Sequence, residues 1–571
     1  MLDSINTAIL GNCTTNYLAS AIQDECSKNG ISANVYDSPD NQYNQEVLNA
    51  ESGLYVSNPD LIIIHLEGKL LYPEWYDFKT LQLTNEEKLQ EIQKVFQSIT
   101  SIVQEINSHC NAKIILNNFK LPYYSPLGIL DSKSSLGLKH MISKLNMQLE
   151  EWSSGNDNLY IFDYNGLCSQ YGSTNAEEKK LYYITKSTMS LSFTKVLARE
   201  YMRYVFPMKS KNRKCLVLDL DNTLWGGIAG EDGLAGIKLD ISGPGRSFYD
   251  FQNEILNLYN KGIILAINSK NNFEDAIDII ENHPYMVLRK KYFSSLKINW
   301  NSKVENLTEI AKELNLGIDS LVFFDDNPVE RDYVKSMLPE VKVVDVPKDT
   351  SKYTESLQQL VEFEQLSITI EDTKRNEMYL ANKKRVEAYQ QYKDLNEYLA
   401  SLQTTVTVAY ANKSSIPRIA QLTQKTNQFN MTTIRYQQED IEEMISLGKH
   451  IILSCSVCDK YGDNGLVGVC IVRLENLNAY IDSFLLSCRV LGRNVEYSFI
   501  SAVVRILKEL KVSCIYASFS KTDKNKANED FYKKSGFNVV SHNEKETLYA
   551  LSEDTKLKDF EYIDVVIQKE E

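Results

Sequence analysis

The sequence has no apolar run long enough to cross a membrane. Its longest, such as Leu61–Ile64 and Ile263–Ile267, fall far short of the ~18 residues that a span needs. The start, Met1-Leu2-Asp3, carries neither a basic segment nor an apolar one behind it, so no secretory signal is expected and the expected address is cytoplasmic. Cysteine is sparse: 10 in 571 residues, too scattered for a disulfide framework and suited to a reducing compartment. Cys455 and Cys458 form the one CxxC pair; with no second pair and no His cluster nearby, they read as strand residues rather than zinc ligands. Positive charge is short as well, with 62 Lys and Arg against 76 Asp and Glu and a net charge of −14. That excludes a surface built to coat nucleic acid, and any anionic ligand must be held locally.

What is present is ordinary globular material, 43% hydrophobic and 24% charged, in a chain long enough for three or four domains at roughly 150 residues each. Over residues 1–205 short apolar runs (TAILGN, DLIIIHL, AKIILNNF, LYIFDY) alternate with helical patterns near 84–108 and 135–152. This predicts an α/β domain with a parallel sheet. A second alternation, CLVLDLD, IILAINS, LVFFDD and VKVVDV, predicts a separate doubly wound unit over 206–350. Residues 351–403 lack strand signals and read as a helical connector. From 404 to 550 a β-rich pattern with a late helix predicts an α+β or mixed α/β domain, and 551–571 read as a charged tail that frays.

Asp219 and Asp221 close the strand CLVLDL, two positions apart and so on one face at its carboxyl end, where open α/β sheets bind ligands. An isolated DxDxT fits a helix or turn cap equally well. Three later strand ends shift the balance: Ser269 after IILAIN, Lys303 in INWNSK, and Asp325-Asp326 after LVFF. Together they predict four carboxylates, a hydroxyl and an ammonium at one sheet edge.

In this order the residues resemble the four motifs of the haloacid dehalogenase superfamily. The resemblance implies Asp219 as nucleophile, Asp221 as general acid and base, and Ser269 and Lys303 on the phosphoryl oxygens. It further implies Mg²⁺ held by Asp219, Asp221 and Asp326, with Asp325 close behind. A carboxylate can approach a dianionic phosphate only when a cation offsets the repulsion, which agrees with those roles. About thirty residues separate Ser269 from Trp300, and the loop WGGIAGEDGLAG is short, so no large cap is expected.

The wording LVLDLDNTLWGG, INSKN, FFDDNPVER, TQKTNQFNMTTIRY, DKYGDNGLVGV and FLLSCRVLGRNVE resembles the FkbH-like proteins along essentially the whole chain. That resemblance implies transfer of a glyceryl unit from 1,3-bisphosphoglycerate to the phosphopantetheine thiol of an acyl carrier protein, in secondary-metabolite or polysaccharide biosynthesis. One departure stands out. Family members commonly carry Cys just before the Ser of the second motif, as a candidate acyl acceptor, and here that position is Asn268. Either the carrier thiol attacks directly, another Cys such as Cys488 substitutes, or the substrate differs.

Residues 404–550 resemble the GNAT acetyltransferase fold, with Arg489, Gly492, Arg493 and Asn494 at the place of its pyrophosphate loop, where a phosphate or pantetheine arm is expected. An ordinary strand-to-helix turn is the plain alternative. Asn528 and Tyr532 stand where such enzymes keep an Asn and a thiolate-protonating Tyr, although packing explains a Tyr equally well. Residues 1–205 resemble an SGNH hydrolase-like domain with Cys13 in the place of the usual Ser. The stretch KSTMSLSF lacks the expected Asp-x-x-His, and His65 and His140 are the possible partners, which favours a scaffold or docking module. The expected function is a Mg²⁺-dependent phosphatase and glyceryl transferase. The alternatives are a phosphatase for another soluble metabolite and a noncatalytic assembly module.

Overall fold

A computed structural model describes residues 3–389, 391–543, 546–551, 555 and 557–568. The chain divides into two compact units, Met1–Lys209 and Ser210–Glu571, in a multidomain α/β architecture.

In the first unit, β1 (Asp3–Gly11), β2 (Ile31–Asp37), β3 (Leu61–His65), β4 (Lys113–Asn117) and β5 (Leu159–Phe162) form a parallel sheet in the order β2-β1-β3-β4-β5. The all-apolar run of β3 is buried throughout, as a central strand covered on both faces must be. Helix Asn85–His109 starts where the Thr84 hydroxyl accepts from the Glu87 amide and the Glu87 carboxylate returns the bond, satisfying two donors of the first turn.

The second unit opens with another parallel sheet of β6 (Cys215–Leu218), β7 (Ile264–Ser269), β8 (Phe293–Ile298), β9 (Leu321–Phe324) and β10 (Lys342–Val343). Its order, β10-β9-β6-β7-β8, reverses direction between β6 and β9, so loops from their carboxyl ends open a crevice between them. Residues between β6 and helix Arg246–Asn260 add a Gly226–Lys238 bridge and the short helix Ala229–Gly236, far less than a cap domain.

The connector does more than span. Tyr353 and Leu357 enter the core under this sheet, and Tyr379 packs with Cys215, Val217 and Phe323 on its other side. The Asn376 amide donates to the carbonyls of Tyr259 and Ile263 (2.7 and 3.2 Å).

The remaining strands are β11 (Thr404–Tyr410), β12 (His450–Asp459), β13 (Gly462–Glu475), β14 (Asn478–Leu486), β15 (Cys514–Ser520), β16 (Phe537–His542), β17 (Glu546–Leu551) and β18 (Ile563–Ile567). They form one sheet, β16-β17-β15-β14-β13-β12-β11-β18. Helix Val495–Glu509 makes the crossover between β14 and β15, which run parallel only from Asn478 to Ile481 and then part. The gap is bridged by the chain itself: the Met431 amide donates to Phe484 (3.0 Å) and the Ser520 amide to Met431 (2.7 Å).

One expectation is corrected. Residues 563–567 are not a fraying tail, because β18 pairs in parallel with Thr404–Val408 at the sheet edge. An apolar alternation within those last residues, IDVVI, gives that edge a partner and shields it. No helix among the described residues is long and apolar enough to cross a membrane.

Candidate active site

The switch point between β6 and β9 gathers the charged residues that the motifs contribute. Asp219 follows β6, and its amide donates to the Phe324 carbonyl (3.0 Å), tying the two strand ends together. Asp325 and Asp326 follow β9. Side-chain oxygens of Asp219, Asp325 and Asp326 all lie within 4.8 Å of one another.

Lys303 stands between them at the first position of helix Lys303–Glu313. Ser302 caps that helix and Glu305 completes the reciprocal box, which fixes where the helix begins. The Lys303 ammonium lies 2.7 Å from Asp219 Oδ1 and 3.0 Å from Asp325 Oδ2, with its side chain 2% exposed. Burial alone would lower the Lys303 pKa; Asp219 and Asp325 outweigh it and the ammonium is held above its usual range. Burial, and next the charge of Asp219, push Asp325 up to about 7 and Asp326 up to about 6. Acids so crowded favour a cation among them, and the all-oxygen donor set fits a hard divalent ion such as Mg²⁺.

Asp221 sits on the same loop with both oxygens engaged. Its Oδ1 accepts from Trp225 Nε1 and the Ala229 amide (3.0 Å each), and its Oδ2 from Asn271 Nδ2 (3.0 Å). Burial is the largest influence on it and raises its pKa despite those three donors. Ser269 ends β7 and is 1% exposed; its hydroxyl oxygen accepts from the same Asn271 amide at 3.2 Å.

The structure therefore brings together Asp219, Asp221, Ser269, Lys303, Asp325 and Asp326. Sequence reading passed over Asn271, which bridges two of them, and Arg331, whose guanidinium donates to the carbonyls of Asp325 and Asp326 (2.7 Å each) and sets the turn between them. The signal was available: Asn271 lies two residues past Ser269, and Arg331 lies in the first turn of the helix Pro328–Met337 that follows the acidic pair.

Asn268 is placed differently from expectation. Rather than lying beside Ser269 in the site, its side chain is fully buried and turned toward the start of helix Lys303–Glu313. It donates to the Lys303 carbonyl (2.9 Å) and accepts from Asn306 Nδ2 (3.0 Å). Successive side chains of a strand take opposite faces, so Ser269 in the site puts Asn268 behind it.

The Arg489–Asn494 turn also departs from expectation. Arg493 is buried and donates to Asp459 Oδ2 (2.8 Å) and the Arg489 carbonyl (2.9 Å), so its guanidinium is already committed. Gly492 and Asn494 both take left-handed backbone conformations (φ 76° and 62°), and the Asn494 amide donates to the Tyr562 hydroxyl (2.7 Å). Glu496 is buried in the first turn of the following helix, and burial raises its pKa. Cys488 is half-buried just before this turn. Tyr532 packs against Phe531, Phe537 and Tyr549, with its hydroxyl buried and without a hydrogen-bond partner among the described residues, and Asn528 donates to the Gln428 carbonyl (2.8 Å). Cys455 and Cys458 are residues of β12, as read.

In the first unit Cys13 is buried just past β1. Burial, and next Glu67, push its thiol far up, the reverse of activation. Glu67 accepts from Thr188 (2.8 Å) and Tyr164 (3.1 Å), and stands 3.9 Å from a fully buried His65. His140 is engaged elsewhere, with Nδ1 3.2 Å from the Ser134 carbonyl.

Residues 6–205 match the family model described as FkbH, N-terminal domain. Among solved structures, the chain is similar to the N-terminal part of the protein BF1531 from Bacteroides fragilis, containing a phosphatase domain complexed with Mg. The two are 29% identical, with a TM-score of 0.59 over 64% of this chain and 95% of that one. It also matches the ribosomal-protein-S18-alanine N-acetyltransferase of Escherichia coli at 9% identity and a TM-score of 0.21, covering 27% of this chain and 99% of that one. A GNAT-family acetyltransferase from Staphylococcus aureus matches at 16% identity and a TM-score of 0.21, covering 26% of this chain and 98% of that one. No curated protein matches. Residues 6–205 thus carry an FkbH N-terminal domain, and the second unit carries a haloacid dehalogenase-type sheet with the Asp219–Lys303–Asp326 cluster.

Proposed function

We propose that this protein is a Mg²⁺-dependent phosphatase of the haloacid dehalogenase type. We propose further that it dephosphorylates 1,3-bisphosphoglycerate and delivers the glyceryl unit to the phosphopantetheine thiol of an acyl carrier protein. The observation that carries the first part is the convergence of Asp219, Asp325 and Asp326 around Lys303 at the sheet's switch point. The Mg-complexed phosphatase-containing relative from Bacteroides fragilis supports it. The finer part rests on the FkbH resemblance, which the N-terminal domain match supports.

Asp219, Asp325 and Asp326 would hold the ion, together with the backbone of Asp221. When bound, Mg²⁺ offsets the charge of the phosphate so that a carboxylate can approach it. A carboxylate oxygen of Asp219 attacks phosphorus and the bond from phosphorus to the leaving oxygen breaks. That oxygen takes the proton of Asp221, whose raised pKa favours the acid form. Asp221, now a carboxylate, takes a proton from water as the water attacks phosphorus; the bond to Asp219 breaks and phosphate leaves. Lys303 keeps its positive charge beside Asp219 throughout, and Ser269 and Asn271, which lie 3.2 Å from each other, would donate to the phosphoryl oxygens.

For the acyl phosphate end, the carrier's thiolate attacks the acyl carbon and the carbon–oxygen bond to phosphate breaks, with no acyl group resting on residue 268. The buried Asn268 and the protonated Cys13 both favour this direct transfer. The first unit then serves as a docking module rather than a second catalyst. The test is mass spectrometry of holo carrier protein incubated with the full chain, Mg²⁺ and 1,3-bisphosphoglycerate, with phosphate measured in parallel. A glyceryl thioester with phosphate release is expected. Phosphate without thioester reduces the function to hydrolysis, and neither product refutes the reading.

A further inference from the structure

A second cluster of charge lies at the opposite edge of the phosphatase-type sheet. Lys214 immediately precedes β6, and the Arg375 guanidinium donates to the Gly262 carbonyl (3.0 Å) just before β7. Both are therefore at the amino ends of strands whose carboxyl ends carry Asp219 and Ser269, about 15 Å away at ~3.3 Å per residue. Arg375 also pairs with the fully buried Asp372, whose Oδ1 is 3.8 Å from Lys425 Nζ. Gln421 links Asp372 onward to the buried Arg418. Arg489 interacts electrostatically with Lys214, Arg375 and Arg418, and its Nε and Nη2 are buried with no hydrogen-bond partner among the described residues.

Five basic side chains thus meet from the sheet, the connector and the last domain. Among the described residues they face Asp372, Glu371 and Asp319, and the last already pairs with Lys524 at 2.9 Å. Burial, then the neighbouring cations, lower Arg375 to about 10 and Arg418 to about 9, and Lys425 far below its usual range. Such repulsion, in a chain of net charge −14, costs stability unless an anion relieves it.

We propose that Lys214, Arg375, Arg418, Lys425 and Arg489 form a binding site for a diphosphate group, separate from the Asp219 centre. A diphosphate packs several charges into a few ångströms, which suits converging, half-buried side chains; an acidic peptide spreads one charge per residue along an extended backbone. Arg489, with two unpaired buried donors, supplies the fork for bidentate contact.

Inorganic pyrophosphate titrated calorimetrically into the full chain, without Mg²⁺ and at low salt, is the direct probe. Saturable binding is expected in the natural protein and in Asp219→Asn, at least tenfold weaker in Arg489→Ala. Without ligand, Arg489→Ala should melt no lower than the natural protein, because it removes repulsion and breaks no side-chain hydrogen bond to the described residues; pyrophosphate should raise the melting point of the natural protein and of Asp219→Asn, and that of Arg489→Ala far less. Lys425→Met provides the same comparison if Arg489→Ala fails to fold. Competition by coenzyme A would point to a nucleotide-linked diphosphate, and its absence to the inorganic ion. No binding, or binding lost in Asp219→Asn but kept in Arg489→Ala and Lys425→Met, would overturn the proposal.

Discussion

Asn268 and Lys303 hold each other by reciprocal hydrogen bonds: the Lys303 ammonium donates to the Asn268 carbonyl at 2.6 Å, and the Asn268 amide donates to the Lys303 carbonyl at 2.9 Å. The first bond aims the ammonium at Asp219 and the second pins the helix that carries it. Asn268 is thus a positioning residue behind the site, where the family's usual Cys had suggested an acyl acceptor.

Replacing Asn268 by Ala leaves an Asn306 N–H unsatisfied in a buried place and takes from the Lys303 carbonyl the bond it accepts beyond its helical one, at a cost of about 1–3 kcal/mol. Phosphate release should fall mainly through kcat, with KM little changed, and the denaturation midpoint should drop. Asn268→Cys should likewise gain no glyceryl adduct, because its thiol would face the helix start; intact-protein mass spectrometry without carrier protein checks this. An adduct mapped to residue 268 would show that the side chain can reach the reacting group.

Asp219→Asn keeps side-chain volume and removes the nucleophilic charge, so phosphate release should disappear while the circular dichroism spectrum stays unchanged. Chelation of divalent ions should abolish release by the natural protein, and added Mg²⁺ should restore it. Release at the natural rate after exhaustive chelation would remove the metal from the reaction.

Asp459 faces two guanidiniums, Arg385 with 2.8 Å contacts to both oxygens and Arg493 at 2.8 Å, and all three side chains are nearly inaccessible. Asp459→Asn leaves two buried cations without their counter-charge and should destabilise the fold by about 3–5 kcal/mol. Arg493→Ala should accordingly impair folding, measured by urea unfolding, and not carrier recognition alone. Full stability of either variant would contradict this account.

His65 is fully buried, burial lowers its pKa, and neither ring nitrogen has a hydrogen-bond partner among the described residues. The folded protein keeps it neutral while the unfolded chain takes up a proton below about pH 6.5. Stability from this group is therefore complete above that pH and is lost as pH falls toward the lowered folded value, by up to ~1.4 kcal/mol per pH unit. His65→Leu should flatten the dependence of the thermal midpoint between pH 5 and 7. An imidazole proton resonance of His65 that titrates at or above 6.5 would exclude the effect.

The sequence by itself determined the parallel α/β sheets, because runs such as Leu61–Ile64 and Cys215–Leu218 are apolar on both faces and permit only central strands. It also determined the motif residues of the Asp219 centre, since carboxylates at strand ends have one crevice to share. Tertiary structure alone decided which way each side chain turns. Pleating put Ser269 in the site and Asn268 behind it; Asp459, distant in sequence, claimed Arg493. Tertiary pairing likewise turned residues 563–567 from a tail into an edge strand and drew Lys214, Arg375, Arg418, Lys425 and Arg489 together from three parts of the chain. Local sequence encodes periodicity and caps, whereas partners separated by dozens or hundreds of residues are chosen only when the cores close.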